Sequence, residues 1–137
     1  MIYKKDYTTI KVLLADDDPD ILALTSWKVT QEGFSVVTAI DGEDAWDKIK
    51  SENPDVIVLD LRMPKLHGLD VVKRLRENPP VKNKWQPVII VSGERDMSTL
   101  NEIFKYEADH YLKKPCTAAE VVQAIKLMVS LIPPQQT

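Results

Sequence analysis

The chain has 137 residues and a formal net charge of −3, with 44% hydrophobic and 28% charged residues. This length suits one domain, and the slightly acidic balance lacks the basic footprint of a nucleic-acid-binding domain. No apolar run approaches the ~20 residues that span a bilayer, the N-terminus lacks a signal-peptide core, and Cys116 is the only cysteine, so the sequence predicts a cytoplasmic protein without an intrachain disulfide.

Hydrophobic patterning predicts five strands that alternate with five helices. Residues 1–9 are polar and aperiodic, and we expect a loose lead-in there. The predicted strands are short and apolar, at 10–15, 34–40, 55–60, 87–91 and 109–112. The predicted helices lie between and after them, at 19–32, 45–53, 69–78, 97–104 and 118–132. The domain therefore spans 10–132, and 133–137 form a tail or a linker stub.

Two of the helices carry finer predictions. In the first, Ile21, Leu24 and Val29 fit one apolar face, although polar residues interrupt it. In the last, Thr117 and Glu120 have the spacing of a capping box. Its predicted core face consists of Ala118, Val121, Val122, Ile125, Met128, Val129 and Ile132. Three further apolar residues are expected off that face, either as loosely packed edge residues or as a partner or dimer surface: Ala124, Leu127 and Leu131.

Strands that alternate with helices predict a parallel sheet covered by helices on both sides. The carboxyl ends of such strands meet at one edge, where open α/β sheets bind their ligands. The predicted strand ends carry a complementary set of side chains: Asp16, Asp17, Asp60, Ser92 and Lys114. Each one alone is more often a turn residue, a helix cap or a surface charge. Together they suit a site in which Mg²⁺ neutralises converging carboxylates and leaves room for phosphate oxygens.

Four segments make the pattern specific, namely VLLADDDPD at 12–20, DLRMP at 60–64 with Gly68, PVIIVSG at 87–93 and YLKKP at 111–115. In this ordered set the sequence resembles the response regulator receiver domain, the phospho-acceptor module of two-component (phosphorelay) signalling. The resemblance covers residues 10–132. It implies a flavodoxin-like (βα)5 three-layer sandwich with the parallel strand order 2-1-3-4-5.

The resemblance also implies roles for single residues. Asp60 would accept a phosphoryl group from the phosphohistidine of a histidine kinase or phosphotransfer protein. Asp17, Asp60 and the backbone carbonyl of Arg62 would bind Mg²⁺, and Asp16 would act mostly through water. Lys114, preceding a cis peptide bond to Pro115, and the Ser92 hydroxyl would contact the phosphoryl oxygens.

The same resemblance implies a switch rather than an enzyme with an external substrate. Ser92 would move toward the phosphoryl group, and Tyr111 would turn into the space left behind. This movement would remodel the face made by the fourth helix, the fifth strand and the last helix, where a downstream protein partner, an output domain or a second copy of the chain would bind. The sequence does not identify the kinase or the output.

Two departures from the family pattern carry structural predictions. Glu107 stands where glycine is usual, so we expect the end of the fourth helix to differ from the usual left-handed turn. Cys116 replaces the usual aromatic residue after the Lys-Pro pair, which predicts a loosened packing contact.

Two other functions stay open. The first is a Mg²⁺-dependent phosphatase of the haloacid dehalogenase kind, because Asp16 and Asp18 have the required spacing. The second is a docking domain of the receiver type that phosphorylation does not regulate.

Overall fold

The protein is described here by a computed structural model that covers residues 6–93 and 97–133, with the side chains of 97–99 left out. The predictions for residues 1–5 and 134–137 lie outside the described residues. Along the described part, five strands alternate with five helices: β1 Lys11–Ala15, α1 Pro19–Gln31, β2 Ser35–Ala39, α2 Gly42–Glu52, β3 Val56–Asp60, α3 Gly68–Glu77, β4 Val88–Ser92, α4 Met97–Lys105, β5 His110–Lys113 and α5 Ala118–Leu131.

The strands form one parallel sheet in the order β2-β1-β3-β4-β5, which confirms the flavodoxin-like arrangement. Every residue of β3 and β4 is buried, as expected of central strands covered on both faces. The register pairs Ala15 with Leu59 and Ser92 with Lys113. Polar residues that follow these pairs are therefore brought to the same edge of the sheet.

The sheet separates two apolar cores, because successive strand residues point to opposite faces. Leu13 and Ile57 belong to the core on the side of α2, α3 and α4. Val12 and Val58 belong to the other core, on the side of α1 and α5. The result is the predicted three-layer sandwich. None of the helices within the described ranges is long and apolar enough to cross a membrane.

The predicted face of the first helix is correct for Val29 and wrong for Ile21 and Leu24. Ile21 is 44% exposed and Leu24 is 62% exposed, whereas Leu22 and Val29 are buried against the sheet. Residues seven apart share a helix face, and Leu22 and Val29 satisfy that rule with the half-buried Thr25 between them. The helix therefore leaves an apolar stripe facing outward.

The prediction for α5 is mostly confirmed. The capping box of Thr117 and Glu120 is present, and Leu127 and Leu131 are exposed. Ala124, however, is buried and belongs to the core face.

The lead-in is not loose over its described part. The Tyr7 ring stacks on Phe34 with 4.4 Å between centroids, and the Lys126 ammonium lies 5.8 Å from the Tyr7 ring centroid. The backbone N–H of Ile10 donates to the carbonyl of Tyr7, which closes a turn. Residues 7–10 therefore cover one end of the core between α1 and α5.

The end of α4 keeps a left-handed turn even though no glycine is present, so the expected departure is wrong. Glu107 has φ +68°. The N–H of Ala108 donates to the carbonyl of Ile103, and the N–H of Glu107 donates to that of Phe104, as in a Schellman motif. The Arg76 guanidinium donates to the Glu107 carbonyl from two of its nitrogens, at 3.1 and 3.0 Å, which holds the turn in place.

Replacing Glu107 by Gly is expected to raise the free energy of unfolding by about 0.5–1 kcal/mol. The left-handed conformation costs a residue with a Cβ roughly 1–2 kcal/mol, and the greater freedom of glycine in the unfolded chain offsets part of that gain. Urea unfolding monitored by circular dichroism measures the change. Glu107→Ala is the matched control, since it removes the charge and keeps the Cβ. Equal stability of the Gly and Ala variants would contradict the backbone explanation.

Candidate functional site

Three carboxylates converge at the carboxyl edge of the sheet. Asp16 and Asp17 follow β1, and Asp60 ends β3, the neighbouring strand. One carboxylate oxygen from each residue lies within 4.8 Å of the others. Asp60 is only 7% exposed, whereas Asp17 is exposed. The sequence prediction that these acids come together is therefore consistent with the geometry.

Lys114 is the cation of the site. Its Nζ lies 2.9 Å from Oδ2 of Asp60 and 3.7 Å from Oδ2 of Asp16, so one ammonium pairs with two acids. The backbone N–H of Lys114 donates to the Ser92 carbonyl at 2.8 Å, which extends the β4–β5 pairing by one residue. The peptide bond to Pro115 is cis, as the resemblance implied.

The turn after β3 holds the Asp60 carboxylate. The backbone N–H of Arg62 donates to Oδ1 of Asp60 at 3.2 Å, which leaves Oδ2 for Lys114. The N–H of Gly68 donates to the carbonyl of Leu61 at 2.8 Å, where α3 begins. A Cβ at Gly68 would lie 2.5 Å from the Asp60 carbonyl oxygen. Only glycine lets α3 start this close to the end of β3.

The sequence analysis used Gly68 only as part of the family motif, and this contact with the strand end was not predicted. A glycine eight residues after a strand-ending acid was the available signal. It could not be interpreted without knowing that the chain turns back on the strand end there.

Ser92 and Tyr111 lie next to each other beside the acids. The Ser92 side chain is almost fully buried, and a cleft of about 450 Å³ is lined by Asp60, Arg62, Ser92, Gly93 and Lys114. The Tyr111 hydroxyl donates to the Ser92 backbone carbonyl at 3.2 Å, and its half-buried ring packs against the core. The structure thus brings Arg62 and Ser92 to the predicted site and connects Tyr111 to Ser92.

Asp18 does not take part in the acidic cluster. Its side chain accepts hydrogen bonds from the backbone N–H groups of Asp20 and Ile21, at 2.9 and 3.3 Å, and caps α1. Because a capping carboxylate is held by the helix end, it is not placed to assist Asp16. The spacing that suggested a phosphatase therefore has a structural explanation.

Burial and charge shift two pKa values in the site. Burial raises the pKa of Asp16, and this outweighs the hydrogen bond from the Asp18 N–H and the charge of Lys114. For Lys114, burial lowers the pKa, but the hydrogen bond and charges of Asp60 and Asp16 outweigh burial, so the net pKa lies above its ordinary value. The ammonium therefore stays charged beside the acids at neutral pH.

This arrangement supports two kinds of chemistry. Carboxylate oxygens are the hard donors that Mg²⁺ prefers. The three acids outnumber the Lys114 ammonium that pairs with them, so a divalent ion would relieve their repulsion. A carboxylate that faces an ammonium is also a possible covalent acceptor of a phosphoryl group. Both uses need an accessible cleft, which the side of Asp60 facing Ser92 provides.

Comparison with known proteins gives one consistent family. The profile described as "Response regulator receiver domain" matches residues 12–126. Over 119 residues the chain is 33% identical to the alkaline phosphatase synthesis transcriptional regulatory protein PhoP of Bacillus subtilis, covering 87% of this chain and 48% of that protein. Over 122 residues it is 36% identical to the transcriptional regulatory protein PrrA of Mycobacterium tuberculosis, covering 89% and 51%. The chain spans about half the length of these relatives.

The same family appears among solved structures. The receiver domain of the Francisella response regulator 1452 superposes with a TM-score of 0.80 at 34% identity, covering 89% of this chain and 98% of that one.

Proposed function

This chain belongs to the response regulator receiver domain family of two-component signalling, and from that premise we propose that Asp60 is its phospho-acceptor. An Asp60 carboxylate oxygen attacks the phosphorus of a phosphohistidine. The new O–P bond forms as the P–N bond breaks, and the imidazole leaves with the electron pair. The donor is a histidine kinase or a phosphotransfer protein, and the domain acts as a signalling switch in the cytoplasm.

One observation carries the proposal, namely the surroundings of Asp60 at the end of a central strand. The Asp60 side chain is almost fully buried, the Lys114 Nζ lies 2.9 Å from its Oδ2, and the carboxylates of Asp16 and Asp17 lie beside it. Phosphoryl transfer depends mainly on positioning and on stabilising charge at the transferring oxygens. Lys114 supplies a fixed positive charge at the acceptor, and the adjoining cleft reaches Ser92, whose hydroxyl we propose as a donor to a phosphoryl oxygen.

Asp17, Asp60 and the Arg62 carbonyl are proposed to hold Mg²⁺, with Asp16 acting through water. The oxygen-rich donor set fits this ion, and the exposed position of Asp17 leaves space for its water ligands. When bound, Mg²⁺ neutralises charge on the transferring group. The protein's own part is to hold Asp60 through the Arg62 N–H and to keep Lys114 charged beside it.

The switch is proposed to act through Ser92 and Tyr111. Phosphorylation adds about −1.5 to −2 charges and new hydrogen-bond acceptors. A Ser92 side chain drawn toward them would disturb the hydrogen bond between the Tyr111 hydroxyl and the Ser92 carbonyl, on the edge strand β5. The face of α4, β5 and α5 would change, and we propose it as the surface for a downstream partner, an output domain or a homodimer.

The decisive experiment is incubation with acetyl phosphate and Mg²⁺, followed by intact-mass measurement under mild conditions. Wild-type protein is expected to gain the mass of one phosphoryl group, and an excess of EDTA is expected to prevent the gain. Absence of any gain with Mg²⁺ would refute the phospho-acceptor proposal. An equal gain with EDTA would refute the role of the divalent ion.

Replacing Lys114 by Ala is expected to slow phosphorylation by roughly 10²-fold, the usual effect of removing one fixed charge donor from a transition state. The initial rate of mass gain with acetyl phosphate measures this loss. Lys113→Ala is the matched control, because Lys113 is an exposed neighbour outside the cluster. The proposed role of Lys114 fails if both variants react at the wild-type rate.

A further inference from the structure

The loop after β3 contains a strained turn that begins at Pro64, four residues after Asp60. The backbone N–H of Leu66 donates to the carbonyl of Pro64 at 2.8 Å, which closes a turn of three residues. Lys65, at the centre of this turn, has φ +68°. A γ-turn with a positive φ at its centre is rare and strained. Such strain persists only where the surrounding structure holds it, and it is often found at functional sites.

The turn between β2 and α2 holds this loop. The backbone N–H of Gly42 donates to the carbonyl of Pro64 at 3.2 Å, and Gly42 lies directly against the carbonyl of Leu66. The Nζ of Lys65 lies 3.5 Å from Oδ2 of Asp41. Asp41 and Gly42 therefore contact all three residues of the strained turn.

The Asp41 carboxylate joins two parts of the molecule. Its Oδ1 accepts a hydrogen bond from the N–H of Asp44 at 2.7 Å and caps α2, whereas its Oδ2 faces Lys65. The Asp41 side chain is only 10% exposed, while that of Lys65 is 62% exposed. Because a nearly buried carboxylate needs a compensating charge, the Lys65 ammonium is drawn to Asp41. The pair ties the centre of the strained turn to the start of α2.

The same loop carries the backbone that holds the phospho-acceptor. Arg62 lies between Asp60 and the strained turn, and its N–H donates to Oδ1 of Asp60 at 3.2 Å. Arg62 is only two residues from Pro64, so a shift of the turn moves the Arg62 peptide groups relative to the Asp60 carboxylate. The Arg62 carbonyl is also a proposed ligand of Mg²⁺, so the same shift would change how the ion is held.

From these contacts we propose that Asp41 is a positioning residue for the acceptor site. It holds Lys65, and with Lys65 the strained turn, so that the Arg62 backbone stays beside Asp60. Asp41 acts through the loop and is not a member of the acidic cluster at the strand ends. This role deepens the proposed function and rests on it, because it assumes that the Arg62 carbonyl binds Mg²⁺.

The variant Asp41→Ser removes the charge and keeps the helix cap, because serine is also a favoured N-cap residue. In ¹⁵N-labelled protein without Mg²⁺, hydrogen exchange of the Gly42 and Leu66 amides is expected to be about three- to fivefold faster, the upper end of the effect of an ion pair with one exposed partner. In an NMR titration with Mg²⁺ alone, the Kd of the ion is expected to rise by a similar factor.

Variants of Lys65 and Glu43 are the matched controls. Lys65→Gln removes the other half of the pair at an exposed position, is expected to give the same two changes, and decides the matter if Asp41→Ser does not fold. The double variant should be no worse than either single one, because both remove the same interaction. Lys65→Arg keeps the charge, and Glu43→Gln removes an exposed acid in the first turn of α2, so both are expected to stay within about 1.5-fold of wild type.

Wild-type exchange rates and Mg²⁺ affinity in Asp41→Ser and Lys65→Gln would overturn the proposal. Faster exchange without weaker Mg²⁺ binding would also overturn it, since Asp41 would then only stabilise the loop. Weaker Mg²⁺ binding without faster exchange, or an equal loss in Glu43→Gln, would overturn the route through the loop. Wild-type protein that binds no Mg²⁺ would instead refute the proposed metal site, and the exchange rates alone would then decide whether Asp41 holds the loop.

Discussion

Replacing Asp60 by Asn is expected to abolish phosphoryl uptake from acetyl phosphate and Mg²⁺. The neutral amide lacks the negative oxygen that attacks phosphorus, and no other described carboxylate combines near-complete burial at a strand end with a hydrogen bond from Lys114. We expect less than about 1% of the wild-type rate, because the change removes the acceptor atom itself rather than one stabilising charge. Intact-mass measurement over a time course gives the rate.

The Asp60→Asn variant is expected to stay folded. The substitution removes one of three mutually repelling acids, which offsets the lost ion pair with Lys114. Circular dichroism and urea unfolding check this directly. Asp47→Asn is the matched control, since Asp47 is exposed on α2 and pairs with the surface residue Lys50. If Asp60→Asn gains the phosphoryl group at the same rate as Asp47→Asn, the acceptor is a residue other than Asp60.

Replacing Gly42 by Ala is expected to lower the free energy of unfolding by roughly 3 kcal/mol. Gly42 is buried at the start of α2, and its N–H donates to the Pro64 carbonyl at 3.2 Å. A Cβ there would lie 1.7 Å from the backbone oxygen of Leu66. Because the obstacle is backbone rather than a flexible side chain, the loop after β3 must move. Urea unfolding measures the change.

Gly93→Ala is the control for Gly42→Ala. Among the described residues, the nearest heavy atom to a Cβ at Gly93 would be the Lys114 Cβ at 3.9 Å, an ordinary contact, so stability should change by less than about 0.5 kcal/mol or rise slightly. The two variants share the same chemical change, and the space around the glycine differs between them. If Gly42→Ala and Gly93→Ala have the same free energy of unfolding, the loop after β3 can move away from α2 at little cost, which would contradict the prediction.

Most of the fold could be predicted from local pattern. Strands such as Val56–Asp60 are short β-branched runs that end in a polar residue, and Thr117 with Glu120 marks a helix start in sequence alone. The site acids were predictable for the same reason, since a parallel sheet must bring its strand ends to one edge. The strand order came from family resemblance, because short apolar strands carry no signal for which neighbour they pair with.

The predictions that the structure contradicts depended on contacts between residues that are far apart in the sequence. The face of α1 was wrong because both Ile21 and Leu22 are apolar, and only the position of α5 and the sheet decides which is covered. Glu107 stays in a left-handed turn because Arg76, 31 residues earlier, binds its carbonyl. Tyr7 packs because Phe34 lies beside it.

The sequence by itself determined the number and type of elements, the acids at the strand ends and Lys114 as their counter-charge. Each of these features follows from residue types and from their spacing within a short stretch of the chain. Only the tertiary structure decided that Lys114 pairs with Asp60 and Asp16 together, that Gly68 touches the strand end and that Asp41 pairs with Lys65. Those features depend on how close separate elements pack, which is set by the summed volumes of many side chains rather than by any one stretch of chain.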